Sequence, residues 1–315
     1  MIAFVRMKAH RVDGLYSIEP DGADLRRLDD GDILLTYPQW SPNGSSLLAI
    51  GRSIDWSDPA DFRGQLNLLT AAGTRTRITE DGATKLRPTW TPDGREIVFE
   101  RAVGESGYHL FAIRPDGSGL RQITGPPMPD PEPLRPIESV RGFTSYEPVD
   151  RSTPVVEQMP AVSPDGSRII FVRLAASELS RGLPPHHLWS CAFDGSDMRQ
   201  LTHGSTHDLS PTYAPDGSLV AFTRWLDDEM TSDRDGGGMS AVRLMLMRPD
   251  GIDVRALTAN PGGYMDPTWA PNGSEIACSS PGPNGTRIVA ADVTTRHVRA
   301  ITAPTEDGDY SPTWQ

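Results

Sequence analysis

Two cysteines in 315 residues, Cys191 and Cys278, leave this chain without a disulfide framework. They fall in predicted strands of different segments, where a small buried hydrophobe is the expected role. No apolar run approaches the roughly twenty residues that a membrane helix needs. Lys and Arg total 30 against 42 Asp and Glu, a net charge of −12, so neither a nucleic acid held by bulk electrostatics nor a membrane is an expected partner. Catalytic motifs are equally scarce. There is no G-x-S-x-G elbow, no H-E-x-x-H, no glycine-rich phosphate loop and no cysteine pair spaced for zinc. Any chemistry would have to come from side chains gathered out of distant segments.

Glycine (30) and proline (29) are abundant instead, and they recur in register. YPQWSPNGSSLLAI from Tyr37, RPTWTPDGREIVF from Arg87, MPAVSPDGSRIIF from Met159, SPTYAPDGSLVAF from Ser210 and DPTWAPNGSEIAC from Asp266 are copies of one pattern. Each predicts a short strand, a tight turn and a second strand rich in β-branched and aromatic residues. Gly44, Gly94, Gly166, Gly217 and Gly273 supply the positive φ of the turns. A third apolar run follows, and then a short strand ending in Leu-Thr or Ile-Thr. Four antiparallel strands at a period of about fifty residues are the signature of propeller blades. A further copy is split, with SPTWQ ending at Gln315 and IAFVR starting at Ile2. The expected fold is an all-β, six-bladed β-propeller of four-stranded antiparallel blades. It is read as one domain over residues 1–315, closed by a blade shared between residues 2–30 and 309–315, with a long crossing at 125–158.

The P-x-W-S/T-P-D/N-G-x-x-I-x-F string, followed by a strand ending in L-T, resembles the PD40 (WD40-like) repeat of TolB-type six-bladed propellers. That repeat is also found in the non-catalytic domain of prolyl oligopeptidase-type peptidases. The resemblance covers nearly the whole chain. It implies the fold and a habit of binding partners, and it implies no single reaction. Without a nucleophile elbow or residues for a hydrolase domain, the peptidase branch is not expected. The family's namesake is periplasmic and carries an additional N-terminal domain. Neither a signal segment nor such a domain is seen here, so cytoplasmic residence is expected.

Counted outward from the innermost strand, the short Pro-Asp-Gly and Asp-Gly turns fall on one face of the disc. The second-to-third turns and the crossings fall on the other. The long segments 52–65, 174–186, 226–241 and 125–158 all belong to that second, insertion face, which is therefore expected to carry function. The crossing contains Ile137, Val140, Phe143 and Tyr146, and reads either as a lid over the channel mouth or as an extended surface strap.

Two residues after Phe4, Ile50, Phe99, Phe171 and Phe222 stand Arg6, Arg52, Arg101, Arg173 and Arg224; Ser280 breaks the series. Five guanidinium groups at one level on the insertion face would hold a carboxylate or phosphate. Alternatively they pair with the acids at the inner-strand entrances, Glu157, Asp208, Asp266 and Asp309, as a belt between blades. Trp56, Trp225 and Tyr264 would wall such a site. His207, Asp208 and His186 are the candidate acid–base residues. His203 with His207 and Asp208, or the alternating Asp233 and Asp235, would be the places for a divalent ion such as calcium, although no cofactor is expected. Two functions stay open. One is a non-catalytic propeller binding a protein or an anionic small molecule. The other is a lyase, cyclase, isomerase or hydrolase acting on a small carboxylated or phosphorylated substrate.

Overall fold

The computed structural model describes residues 1–8, 11–53, 63–70, 73–103, 107–125, 155–175, 185–225, 242–258, 262–282, 285–303 and 308–315. Blade 1 contains β1 (Ile2–Lys8), β2 (Arg11–Ile18) and β3 (Arg26–Arg27). Blade 2 is β4 (Ile33–Trp40), β5 (Ser46–Ser53), β6 (Gln65–Thr70) and β7 (Arg75–Arg77). Blade 3 is β8 (Lys85–Trp90), β9 (Ile97–Ala102), β10 (Tyr108–Ile113) and β11 (Arg121–Gln122). Blade 4 is β12 (Val155–Val162), β13 (Arg168–Ala175), β14 (His187–Ala192) and β15 (Arg199–Gln200). Blade 5 is β16 (His207–Tyr213), β17 (Val220–Trp225), β18 (Arg243–Met247) and β19 (Arg255–Ala256). Blade 6 is β20 (Met265–Trp269), β21 (Glu275–Gly282), β22 (Gly285–Asp292) and β23 (Val298–Ala300). The last strand, β24 (Asp309–Trp314), returns to blade 1 and pairs with β1, so each blade is a four-stranded antiparallel sheet. No helix among the described residues is long and apolar enough to cross a membrane.

The first strands of the blades, β4, β8, β12, β16, β20 and β24, touch one another in cyclic order around the axis. The core is divided accordingly into six apolar clusters, each drawn from two neighbouring blades. Leu48, Ile50 and Leu66 of blade 2 meet Ile97 and Phe99 of blade 3, and Ile2 and Phe4 of blade 1 meet Ala277 and Ile288 of blade 6. Phe4, Phe99, Phe171 and Phe222, the aromatic positions of the repeat, are fully buried. Each contributes about 1.5–3 kcal/mol by leaving water. Cys191 and Cys278 lie in two of these clusters as free thiols, and burial pushes the Cys191 thiol up to about 12.

The polar letters of the repeat are local fasteners. In the turn of blade 4, Asp165 Oδ1 accepts from the Ser163 hydroxyl at 2.6 Å and from the Ser167 N–H at 3.0 Å, and these donors hold its carboxyl down at about 2. Turn glycines with φ of 66–73° follow each of these acids or asparagines. In blades 2, 3, 4 and 6 the threonine that ends the repeat accepts an N–H of the third strand, as at Leu110 to Thr124 (3.0 Å) and Leu188 to Thr202 (2.9 Å). Four of the five turn prolines face the turn glycine of the next blade: Pro42 with Gly94, Pro92 with Gly166, Pro164 with Gly217 and Pro215 with Gly273.

At Gly44 the place of that proline is taken by Gln315, whose side-chain amide donates to Gly44 O at 2.8 Å. The Gln315 N–H donates to Met1 O at 3.0 Å. This is the bond that Ser41 N–H makes to Ser46 O within the hairpin of blade 2. The two ends of the chain are thus joined as the two strands of every other hairpin are. Removing residues 311–315 is expected to expose the edge of β1 and one side of the blade 1/blade 6 core. The shortened protein should lose its cooperative thermal transition or elute as oligomers. A melting curve matching that of the parent would disprove the closure.

Candidate functional site

In blades 1 to 5 the second strand places its arginine opposite the entrance residue of the innermost strand. The pairs are Arg6 with Asp309, Arg52 with Leu34, Arg101 with Lys85, Arg173 with Glu157 and Arg224 with Asp208. The belt therefore closes mainly within blades, where the sequence suggested pairing between them. The reason is register: cross-strand neighbours on one sheet face are nearer than any residue of the next blade. Arg6 grips Asp309 with two bonds of 2.7 and 3.0 Å, and Arg224 grips Asp208 with two of 2.6 and 2.9 Å. Both carboxylates are fully buried. Arg173 stands 3.7 Å from Glu157. Two residues from a buried aromatic, on the same side of the strand, each guanidinium also covers a ring: Arg6 that of Phe4 at 5.4 Å, and Arg224 that of Phe222 at 5.4 Å.

Blades 2 and 3 break this symmetry. Lys85 is fully buried and donates to Gln65 Oε1 at 3.1 Å and to Ala83 O at 2.8 Å. Asp81, in the crossing from blade 2, contacts Lys85 and accepts from Arg101 at 3.1 and 3.0 Å. Arg52 faces the apolar Leu34, and its Nε has no hydrogen-bond partner among the described residues.

Asp266 does not stand at the entrance with the other acids. Every innermost strand has a register break two residues long, and Asp266 sits in that of blade 6 with a φ of 49°. Tyr37, Arg87, Met159, Ser210 and Ser311 occupy the same place in the other blades, at φ between 44° and 56°. All six precede a proline, a context that disfavours helical backbone, so sequence reasoning took them for ordinary extended residues. A recurrent x-Pro in an otherwise regular inner strand, where proline is tolerated only at a bulge, was the available signal.

The histidines regroup. His186 and His207 approach each other Nδ1 to Nδ1 at 2.7 Å from blades 4 and 5, one imidazole donating and the other accepting. Both oxygens of Asp208 are engaged by Arg224 and His203 is exposed, so the expected convergence of His203, His207 and Asp208 does not occur. Trp225 lies across from His207 in register, and the half-buried Tyr264 packs on the blade 5/blade 6 core. His109 meets Glu157 at 2.8 Å, a buried link between blades 3 and 4. No group of three or more His, Cys, Asp or Glu among the described residues is placed to hold a metal ion. Trp56, Asp233, Asp235 and residues 126–154 of the long crossing lie outside the described residues.

Glu100, on β9, is a further fully buried carboxyl. Its Oε1 accepts the Met159 N–H at 2.7 Å and lies 3.8 Å from Arg87 Nε, while Oε2 has no hydrogen-bond partner among the described residues. Burial pushes this carboxyl up to about 7.

A closed ring of six four-stranded blades, with arginines and acids at one mouth, defines a six-bladed β-propeller. The family model described as the TolB beta propeller domain matches residues 145–315, and the chain belongs to that family. A TolB homologue from Chlorobium luteolum is 28% identical over 169 residues, 42% of this chain. The uncharacterised protein Atu1656 of Agrobacterium fabrum is 31% identical over 240 residues, covering 75% of this chain and 67% of its own. The crystal structure of TolB from Acinetobacter baumannii superposes with a TM-score of 0.68 at 17% identity, over 99% of this chain and 65% of that one. Two of the curated relatives, the Chlorobium protein among them, are spanned to only 16% and 36% of their length.

Two outcomes follow from the buried charges. Arg224→Ala leaves Asp208 buried without its counter-charge and should cost about 3–5 kcal/mol in urea unfolding, whereas an exposed arginine such as Arg95 should cost under about 0.5 kcal/mol. Glu100 binds its proton more tightly when folded, so its contribution to stability falls as pH rises from about 4.5 to about 7. Glu100→Gln, which keeps the acceptor for Met159, should remove that slope and make the protein more stable than the parent at pH 8. An unchanged slope would show that another group titrates there.

Proposed function

We propose that this chain is a non-catalytic binding propeller that docks a protein partner on the insertion face. The observation that carries the reading is the state of the mouth. The donors that would grip a small anion are already committed to the chain's own acids at Arg6 and Arg224, and Arg101 is held by Asp81. An incoming phosphate would have to displace a fully buried carboxylate, leaving a charge without a partner. A protein surface can instead add to the rim without breaking those pairs, using the long segments that only this face carries. The habit of binding partners implied by the TolB resemblance supports the same reading.

The anionic alternative narrows to Arg52, the arginine that faces leucine. An enzymatic reading rests on the His186–His207 pair, where one neutral imidazole nitrogen accepts a hydrogen bond from the other ring.

Cross-linking of the full chain to its captured partner, with the linked residues mapped, tests the proposal. Links should fall on the insertion face. Replacing residues 226–241 by a short Gly-Ser linker should weaken capture at least ten-fold, while substitutions at the turn prolines Pro92 and Pro164 leave it unchanged. Links confined to the turn face would overturn the assignment. A melting shift with phosphate or citrate that Arg52→Ala abolishes would favour the anionic ligand instead.

A further inference from the structure

The arginine belt lapses in blade 6, and the guanidinium reappears one strand further out. Ser280 takes the place of the belt arginine. Tyr264, two residues before Asp266 as Asp208 is two before Ser210, takes the place of the entrance acid. Across from the belt, the third strands carry Gly14, His109, His187, Arg243 and Arg287 in blades 1, 3, 4, 5 and 6. Blades 5 and 6 therefore bring two further arginines to the insertion face.

Neither of them has an acid. Arg243 and Arg287 make no ion pair and no side-chain hydrogen bond with any described residue. Their Nε atoms are buried, although both residues are partly exposed. The entrance acids of blades 5 and 1 are already occupied, because Asp208 has both oxygens on Arg224 and Asp309 has both on Arg6. The backbone places the two free guanidinium groups on either side of one phenol. The N–H groups of Gly262 and Gly263 donate to the carbonyl of Val242, next to Arg243, at 3.2 and 3.1 Å. From the other side Ser280, which pairs with Arg287, donates its hydroxyl to Gly262 O at 2.7 Å. The Tyr264 ring lies on Gly262, so closely that a Cβ there would stand 2.5 Å from its Cζ. Burial raises the Tyr264 phenol above its usual value and the Arg287 charge acts against that rise, so this neutral hydroxyl is within electrostatic reach of the guanidinium. It makes no hydrogen bond to a described residue.

We propose that the mouth between blades 5 and 6 binds the phosphate group of a phosphomonoester, with Arg243 and Arg287 as two forks and the Tyr264 hydroxyl as a third donor. Guanidinium forks match phosphate oxygens, and a buried Nε without an acceptor is a desolvated donor whose hydrogen bond the ligand restores. Near neutral pH a phosphomonoester carries a charge of about −1.5 to −2, which two guanidinium groups balance. A carboxylate leaves one of them unmatched. The site uses none of the belt arginines, so it stands whether or not a protein docks on the long segments of the same face.

Calorimetric titration of the full chain with glycerol 3-phosphate and with a blocked glycyl-phosphoseryl-glycine peptide tests this, with acetate as the single-charge control. At least one of the phosphates should bind saturably at one site, and acetate at least ten-fold more weakly. Glycerol 3-phosphate binding as tightly as the peptide, or more tightly, assigns a small-molecule ligand; tighter binding of the peptide assigns a phosphorylated protein segment. Arg243→Gln and Arg287→Gln should each weaken binding ten-fold or more. Neither arginine leaves a buried partner behind, so both variants should melt as the parent does. If one fails to fold, its lysine variant, which keeps the charge and loses the fork, takes its place and should weaken binding at least three-fold. Arg52→Gln should leave the affinity unchanged, which separates this site from the belt. Absence of saturable binding by either phosphate, equal binding of acetate, unchanged affinity in both glutamine variants, or a loss confined to Arg52→Gln would each overturn the proposal.

Discussion

A blade of this chain has two apolar faces and can cover neither alone, and the rest of the structure depends on that constraint. Six clusters, each shared by neighbouring blades, satisfy it only when the ring is complete. Because the same packing is repeated at every blade, whatever residue stands at a given register position becomes one member of a ring around the axis. The arginine belt and the ring of left-handed residues at the bulges are both products of this repetition. Their levels are set by the apolar core, and only their chemistry is left to the individual side chains.

That chemistry departs from symmetry in an orderly way. Where an acid stands at the strand entrance, as at Asp208, Asp309 and Glu157, the arginine beside it balances a charge that is out of contact with water. Where the entrance residue is Lys85, the connecting segment supplies Asp81, which serves both cations. Where it is Leu34, nothing comparable is present among the described residues. A repeated scaffold thus tolerates uneven decoration as long as each buried charge finds a counter-charge, and the places where the pattern lapses are the places with chemistry to spare.

The fold was readable because its signals are short-range and repeated. Turn glycines, the buried phenylalanines and the closing threonines each act within their own blade or on the next, so five full copies outweigh any local ambiguity. The arginine level was readable for the same reason. The partners were not. Whether Arg224 meets Asp208 beside it or an acid of the next blade depends on cross-strand register, and the approach of His186 to His207 joins residues from two blades by geometry that spacing does not encode. The left-handed positions at the bulges were missed for another reason. Residues before proline are read as extended, and it is the bulge that turns Asp266 and its five counterparts into the left-handed region.

The union of Gln315 with Met1 and of β24 with β1 has a consequence in time as well as in space. The Arg6–Asp309 contact spans 303 positions of the chain, and the Gln315–Met1 bond beside it closes a still longer loop. During synthesis β1 emerges well before β24, its partner across the ring, while blades 2 to 5 can already form from contiguous sequence. Until then its unpaired edge and the apolar side of Ile2 and Phe4 remain open, in the manner of a sheet edge that other chains can join. High contact order concentrated in a single seam makes ring closure the slow, late event of folding, and makes the interval before it the time at which the chain is most exposed to aggregation.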